Sequence, residues 1–215
     1  MIRHVLAPIV PRAARALALP RTIAQPGVAL TFDDGPHPEG TPAILDILAR
    51  AGARATFFVI GEQVQRRPEL AGRIVAEGHA IAVHGHRHRL QLLLSPTQVR
   101  SDLERCIAAI SDATGVEPHW HRPPYGIYSA AGLAAAHEAG LKPLLWSRWG
   151  KDWRALTTPQ RIADRAGAAV ARGDVILLHD ADFYSSRGSH RRTAEALELV
   201  IAALNARGVA TVLPV

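Results

Sequence analysis

Short apolar runs alternate along this chain with segments whose apolar residues recur every three to four positions, and from Val28 to the C-terminus the pattern repeats at very roughly 30 residues, the length of a βα unit. The runs rich in β-branched and aromatic residues predict strands at 28–32, 56–60, 80–83, 120–122, 143–146, 175–178 and 210–213. Helices are predicted at 41–51, 68–77, 96–114, 129–139, 159–172 and 191–207, each closed by a glycine. The first shows the logic: Thr41-Pro42 opens it, Ile44, Leu45 and Leu48 form its apolar stripe, and Gly52 stops it. Strand followed by helix, repeated, predicts an α/β fold with about seven parallel strands.

Such a set of strands either closes into a barrel or stays an open doubly wound sheet. The (β/α) barrel is favoured, because Asp33-Asp34, His84, Arg122, Asp152 and His179 all fall at or just after predicted strand ends. In a barrel, functional residues from distant segments gather at the carboxyl ends of the strands.

Composition narrows the class. A chain of 215 residues with 48% apolar residues can bury one sizeable core, expected over 26–215 after an irregular lead-in at 1–25. The lead-in makes a poor signal peptide, since Pro8 interrupts its apolar stretch and Pro11, Arg12 and Arg15 follow; a cytoplasmic location is favoured over secretion. No run approaches the roughly 20 apolar residues of a membrane span. The net charge of +6 comes from arginines spread along the chain, without a basic stripe interleaved with aromatics, so nucleic acid is not an expected partner. Cys106 is the only cysteine and sits on an apolar helical face with Leu103, Ile107 and Ile110, which excludes an internal disulfide and a thiolate metal cluster.

The candidate chemistry lies in five short motifs. In Thr31-Phe32-Asp33-Asp34-Gly35-Pro36, two carboxylates meet where a strand runs into a turn. Asp, Gly and Pro are ordinary turn residues, but adjacent buried carboxylates repel, and a cation is the simplest means of keeping both ionised. His84-Gly85-His86-Arg87-His88 offers three imidazoles. His84 and His88, four apart, would share one face of a helical turn, and His86 is left to structure or substrate contact. One carboxylate with two imidazoles leaves a coordination position open, as in a catalytic zinc site, and the second carboxylate is then a candidate base. Arg122-Pro123-Pro124-Tyr125-Gly126 aims a guanidinium from a stiff turn, beside a backbone that can face an oxyanion. His179, in Leu177-Leu178-His179-Asp180, suits a general acid because its ordinary pKa lies near neutrality. Three of the four tryptophans crowd into residues 146–153, where Trp153 is read as lining a site.

Taken together these motifs resemble the polysaccharide deacetylase family, also called NodB-homology or carbohydrate esterase family 4, from about Val28 to the C-terminus. The resemblance implies a deformed (β/α) barrel of seven strands and one divalent metal, zinc first with cobalt, nickel or manganese as alternatives, held by Asp34, His84 and His88. It implies Asp33 as base, His179 as acid, Arg122 holding Asp33 and Asp152 orienting His179. Tyr125 would lend its backbone N–H to the oxyanion, while Trp153 and Leu177 would wall an acetyl pocket. The partner implied is an acetylated glycan or sugar, chitooligosaccharide, peptidoglycan or a related polymer, which would lose N-acetyl groups. An O-acetyl xylan esterase, a carbohydrate-binding homologue without turnover, and a non-haem iron oxygenase are the alternatives. Two positions depart from the family pattern. Gly85 stands where Ser or Thr is usual, removing a hydroxyl that would brace the histidine loop, and Trp149 stands where an Asp is common. Oligomeric state is not legible.

Overall fold

The computed structural model describes residues 18–215, so most of the expected lead-in lies outside the described residues. Between residues 18 and 27 the one β-bridge is the antiparallel pairing of Thr22 with Asp174. Seven strands follow: β1 (Ala29–Asp33), β2 (Ala55–Val59), β3 (Ala80–Val83), β4 (Trp120–His121), β5 (Lys142–Pro143), β6 (Arg148–Trp149) and β7 (Val175–His179). They form one sheet in the order β5-β4-β3-β2-β1-β7-β6, every pair parallel.

The edge strands β5 and β6 are consecutive in the chain, and this closes the fold. Only residues 144–147 join them, a reach of at most about 18 Å from Pro143 to Arg148 at roughly 3.6 Å per residue. Laid flat at about 4.8 Å per strand spacing, the edges would stand about 29 Å apart. The sheet therefore curls into a half-barrel, in keeping with the deformed barrel that the family resemblance implied.

The helices are α1 (Gly40–Ala51), α2 (Gly61–Arg66), α3 (Pro68–Ala76), α4 (Pro96–Thr114), α5 (Ala130–Glu138), α6 (Pro159–Gly167) and α7 (Ser189–Asn205). Local sequence explains most of their ends. Ser95 caps α4 through a reciprocal bond pair with Gln98, and Gly115 at φ 69° ends it. Its buried face carries Val99, Leu103, Cys106, Ala109 and Ile110, so Cys106 is core, with burial pushing its thiol up to about 12.

Several elements differ from the sequence expectation, among them the short helix α2, which the pattern did not anticipate. The strand expected at 210–213 is a single parallel bridge of Thr211 to Val28, because from Leu30 onward that edge of β1 is taken by β2. The expected strand at 143–146 shortens to β5, and the strand that completes the sheet is β6, two residues whose extended form comes from pairing with Ile176 and Leu177 rather than from propensity. Helix α6 stops at Gly167 instead of 172, with Ala168 extended and Ala169 at φ 51°. Among the described residues no helix is long and apolar enough to cross a membrane.

Register assigns the two faces of the sheet. Thr31 pairs with Thr56 and Leu177, and Asp33 with Phe58 and His179, so these side chains share the concave face. Leu30, Phe32, Phe57 and Ile176 point to the other face beneath the helices, with the Phe32 and Phe57 rings stacked 5.2 Å apart. Both faces are buried, as parallel sheets require.

Strand β4 brings His121 into this core, where the Tyr128 hydroxyl lies 3.0 Å from its Nδ1. Burial pulls the His121 pKa down from 6.5 to about 3. The unfolded chain binds a proton there that the folded chain refuses, so stability is full above pH 6.5 and falls as pH drops toward 3. One such proton amounts to about 2 kcal/mol between pH 6.5 and 5. Urea unfolding at the two pH values should show a drop in wild type that His121→Phe reduces by about that amount; an unchanged drop would mean that His121 does not carry it.

Candidate metal centre and active site

At the carboxyl end of β1 the chain turns sharply, with Asp34 at φ 84°, a conformation that costs a non-glycine residue about 1–3 kcal/mol. That turn sends the adjacent carboxylates to different partners. Asp33 Oδ1 accepts from Arg122 Nη1 at 2.7 Å, and its Oδ2 lies 3.8 Å from His84 Nε2. Asp34 Oδ1 lies 3.4 Å from His84 Nε2 and 3.3 Å from His88 Nε2.

The histidines do not share a helical turn. Residues 84–88 form an irregular bend with Gly85 at φ 97°, a backbone that favours glycine, and this bend brings the His84 and His88 rings to 5.5 Å. His86 turns away and packs behind Gly61, so it is a structural residue, with burial first and the Arg105 charge second holding its pKa below 6.5. His88 is clamped by two rings, Tyr184 stacked at 4.2 Å and Tyr125 edge-on at 4.7 Å.

The donor set fits a metal. His84 Nδ1 lies 2.7 Å from the Arg122 carbonyl oxygen, which only accepts, so Nδ1 carries the hydrogen and Nε2 presents its lone pair toward Asp34. A tetrahedral ion with bonds of about 2.0–2.1 Å has ligand–ligand edges of about 3.3–3.4 Å. The two imidazole–carboxylate separations match those edges, and ligand atoms of all three residues lie within 4.8 Å of one another. A second group, His37, Asp182 and His190, is equally close but chemically unsuited. His37 Nδ1 accepts the Gly40 and Glu39 backbone N–H groups, so its Nε2 carries a hydrogen toward Asp182, 3.2 Å away, and has no lone pair to give.

Arg122 lies wholly inside the barrel. Its Nε donates to Leu144 O, its Nη2 to Leu145 O and its Nη1 to Thr31 Oγ1 and Asp33, while the guanidinium lies 4.0 Å over the Phe58 ring. Burial lowers its pKa and the Asp33 carboxylate opposes that pull.

His179 is register partner to Asp33 on the neighbouring strand. Its Nδ1 lies 2.8 Å from Asp152 Oδ1, and its backbone N–H donates to Asp152 Oδ2 at 2.7 Å. Burial alone would raise the Asp152 pKa, but the His179 charge and these hydrogen bonds outweigh it and hold the carboxylate below its ordinary value. Trp153 meets the His179 ring at right angles, 5.7 Å away, and Trp149 and Trp146 continue the aromatic row. Leu177 lies one layer below His179 on the same face, beside Thr31.

Nine of the ten residues singled out from the sequence thus lie at strand carboxyl ends or on the loops beyond them, and Leu177 lies one layer deeper in β7. Three more escaped notice. Thr193, on α7, donates to Asp152 Oδ2 at 2.8 Å. Tyr184 packs on His88 and donates to Glu62 at 3.3 Å. Asp180, wholly buried against Gly35 and bonded by the Thr41 hydroxyl, has its pKa pushed up to about 7 by burial. A helix-borne Thr or a loop Tyr carries no local signal of such a role; Asp180 sat in a noticed motif but its burial did not show.

Comparison with known proteins agrees with this geometry. A family profile described as polysaccharide deacetylase matches residues 21–144. A chitooligosaccharide deacetylase of Bradyrhizobium sp. (strain ANU 289) is 39% identical over 188 residues, 84% of this chain and 85% of that protein. The peptidoglycan-N-acetylglucosamine deacetylase PgdA of Listeria monocytogenes is 32% identical over 92% of this chain, which spans only 40% of that protein's length. A family 4 carbohydrate esterase from Streptomyces lividans, solved in complex with acetate, superposes with a TM-score of 0.79 at 29% identity, covering 88% of this chain and 93% of that one.

Removing the guanidinium leaves Asp33 as an uncompensated buried charge. Arg122→Met should therefore cost about 3–5 kcal/mol in urea unfolding. A wild-type midpoint would show that the carboxylate does not depend on its partner.

Proposed function

Because the chain belongs to the polysaccharide deacetylase family, we propose that it is a metal-dependent hydrolase that removes acetyl groups from N-acetylated sugar units of a chitooligosaccharide, peptidoglycan or related glycan. The observation that carries this reading is the convergence of Asp34, His84 and His88 beside a carboxylate and an imidazole that each have a buried partner of their own. Asp34, His84 and His88 would hold one divalent ion, zinc first, which when bound supplies a Lewis acid that acidifies water and polarises the acetyl carbonyl.

The rest is assigned to the chain's own groups. Asp33, aimed by Arg122, takes the proton of the attacking water. The Tyr125 backbone, on the turn at 124–126, offers its N–H to the oxyanion. His179, oriented through Asp152 and Thr193, gives a proton to the departing nitrogen. This last group favours N-acetyl over O-acetyl substrates, because an amine leaves only when protonated and a dedicated, braced acid meets that need. Trp153 and Leu177 wall the acetyl methyl.

The test is acetate release from chitooligosaccharides and peptidoglycan, with acetylated xylan as control. Chelation should abolish turnover and zinc or cobalt restore it. Asp33→Asn should keep its metal and lose about 10²–10⁴ in rate. Full activity in chelator would sink the mechanism.

A further inference from the structure

The bend that carries His84 and His88 is short, and its course between them decides whether the two imidazoles converge. On one side the first turn of α2 holds it: Gly61 N–H donates to Gly85 O and Glu62 N–H to His86 O, each at 3.0 Å. On the other side stands Asp102, in the second turn of α4. Its Oδ2 accepts the His86 backbone N–H at 2.7 Å, and its Oδ1 accepts Arg89 Nη2 at 2.7 Å. The two bonds straddle His88, one anchored two residues before it and the other one residue after it. The carboxylate is nearly buried, with a side-chain exposure of 10%, so its bond to the His86 backbone is largely sheltered from competing water.

We propose that Asp102 is a positioning residue for the metal ligands, fixing the bend so that His84 and His88 reach one ion; this rests on the metal-centre reading above. The glycine at 85 belongs to the same device. A Cβ there would lie 2.9 Å from Asp102 Oδ2 and 3.3 Å from Arg87 O. A side chain at 85 would displace the carboxylate that reaches the loop, so the missing hydroxyl is answered from the helix. The helix can serve because it is itself fixed, by the Ser95 cap at its start and by Val99, Leu103 and Cys106 packed in the core.

Cobalt(II) binding to the purified chain tests this, read as the dissociation constant and the visible ligand-field bands, with far-ultraviolet circular dichroism as the fold control. Asp102→Ala should weaken cobalt binding by about 10–100-fold and alter the bands while the fold signal stays. Asp102→Asn, whose amide oxygen still accepts from His86, should lose less, about 3–10-fold. A residue with a purely structural role would lower the melting temperature and leave the affinity and bands of the folded protein unchanged. Wild-type affinity and bands in both variants would overturn the proposal alone, and if Asp102→Ala does not fold, an unchanged Asp102→Asn does so. A wild-type chain that takes up no cobalt would end the metal-centre reading and this proposal with it.

Discussion

A guanidinium enclosed by protein on every side must find partners for its donors, and Arg122 makes four hydrogen bonds across the inside of the curled sheet. Its side chain joins β1, through Thr31 and Asp33, to the carbonyls of Leu144 and Leu145, the stretch that links the two sheet edges. Its backbone continues the ladder from β3 by donating to Val83 O, and its carbonyl fixes the hydrogen of His84 on Nδ1. One residue therefore aims the candidate base with its side chain and the candidate metal ligand with its main chain. Closure of the barrel and alignment of the site are the same constraint, because leaving that charge or that carboxylate without its partner in low dielectric would cost several kcal/mol.

Three buried carboxylates around this point receive different treatment from their surroundings. Asp33 has a permanent cation, Asp152 has an imidazole with three hydrogen bonds on its two oxygens, and Asp180 has a hydroxyl and little else. The last is accordingly the one pushed up to about 7, while Asp152 stays below its usual range. Burial acts on both of these; the partner decides the sign. The site also holds backbone strain, in Asp34 at φ 84° and Tyr125 at φ 64°, and the packed sheet beneath supplies the rigidity that keeps it.

The departures from the family pattern acquire physical content in the same way. Gly85 leaves space that Asp102 fills, and Trp149 lies between the Trp146 and Trp153 rings, tilted against each, instead of presenting a carboxylate. Each exchange keeps the neighbouring ligand or aromatic in place by a contact from another element.

Much of this was legible in the linear chain. Alternating apolar runs and glycine-stopped helices encode parallel strands because burial on two faces and capping act within a few residues, so β3 and α4 begin and end where the pattern places them. The candidate ligand types were legible in the motifs themselves, and the family resemblance implied the pairing of Asp33 with Arg122 and of Asp152 with His179, both of which the structure contains. What only the tertiary structure decided are the features made by pairing across the chain. Two-residue β6 exists because β7 offers an edge, and 210–213 fails to become a strand because β2 has taken that edge. The histidines meet through a bend instead of a helical turn, and Thr193, Tyr184 and Asp102 join the site from distant segments. Such contacts depend on where a side chain ends up in space, and a single residue carries no local periodicity or propensity that records its distant partner.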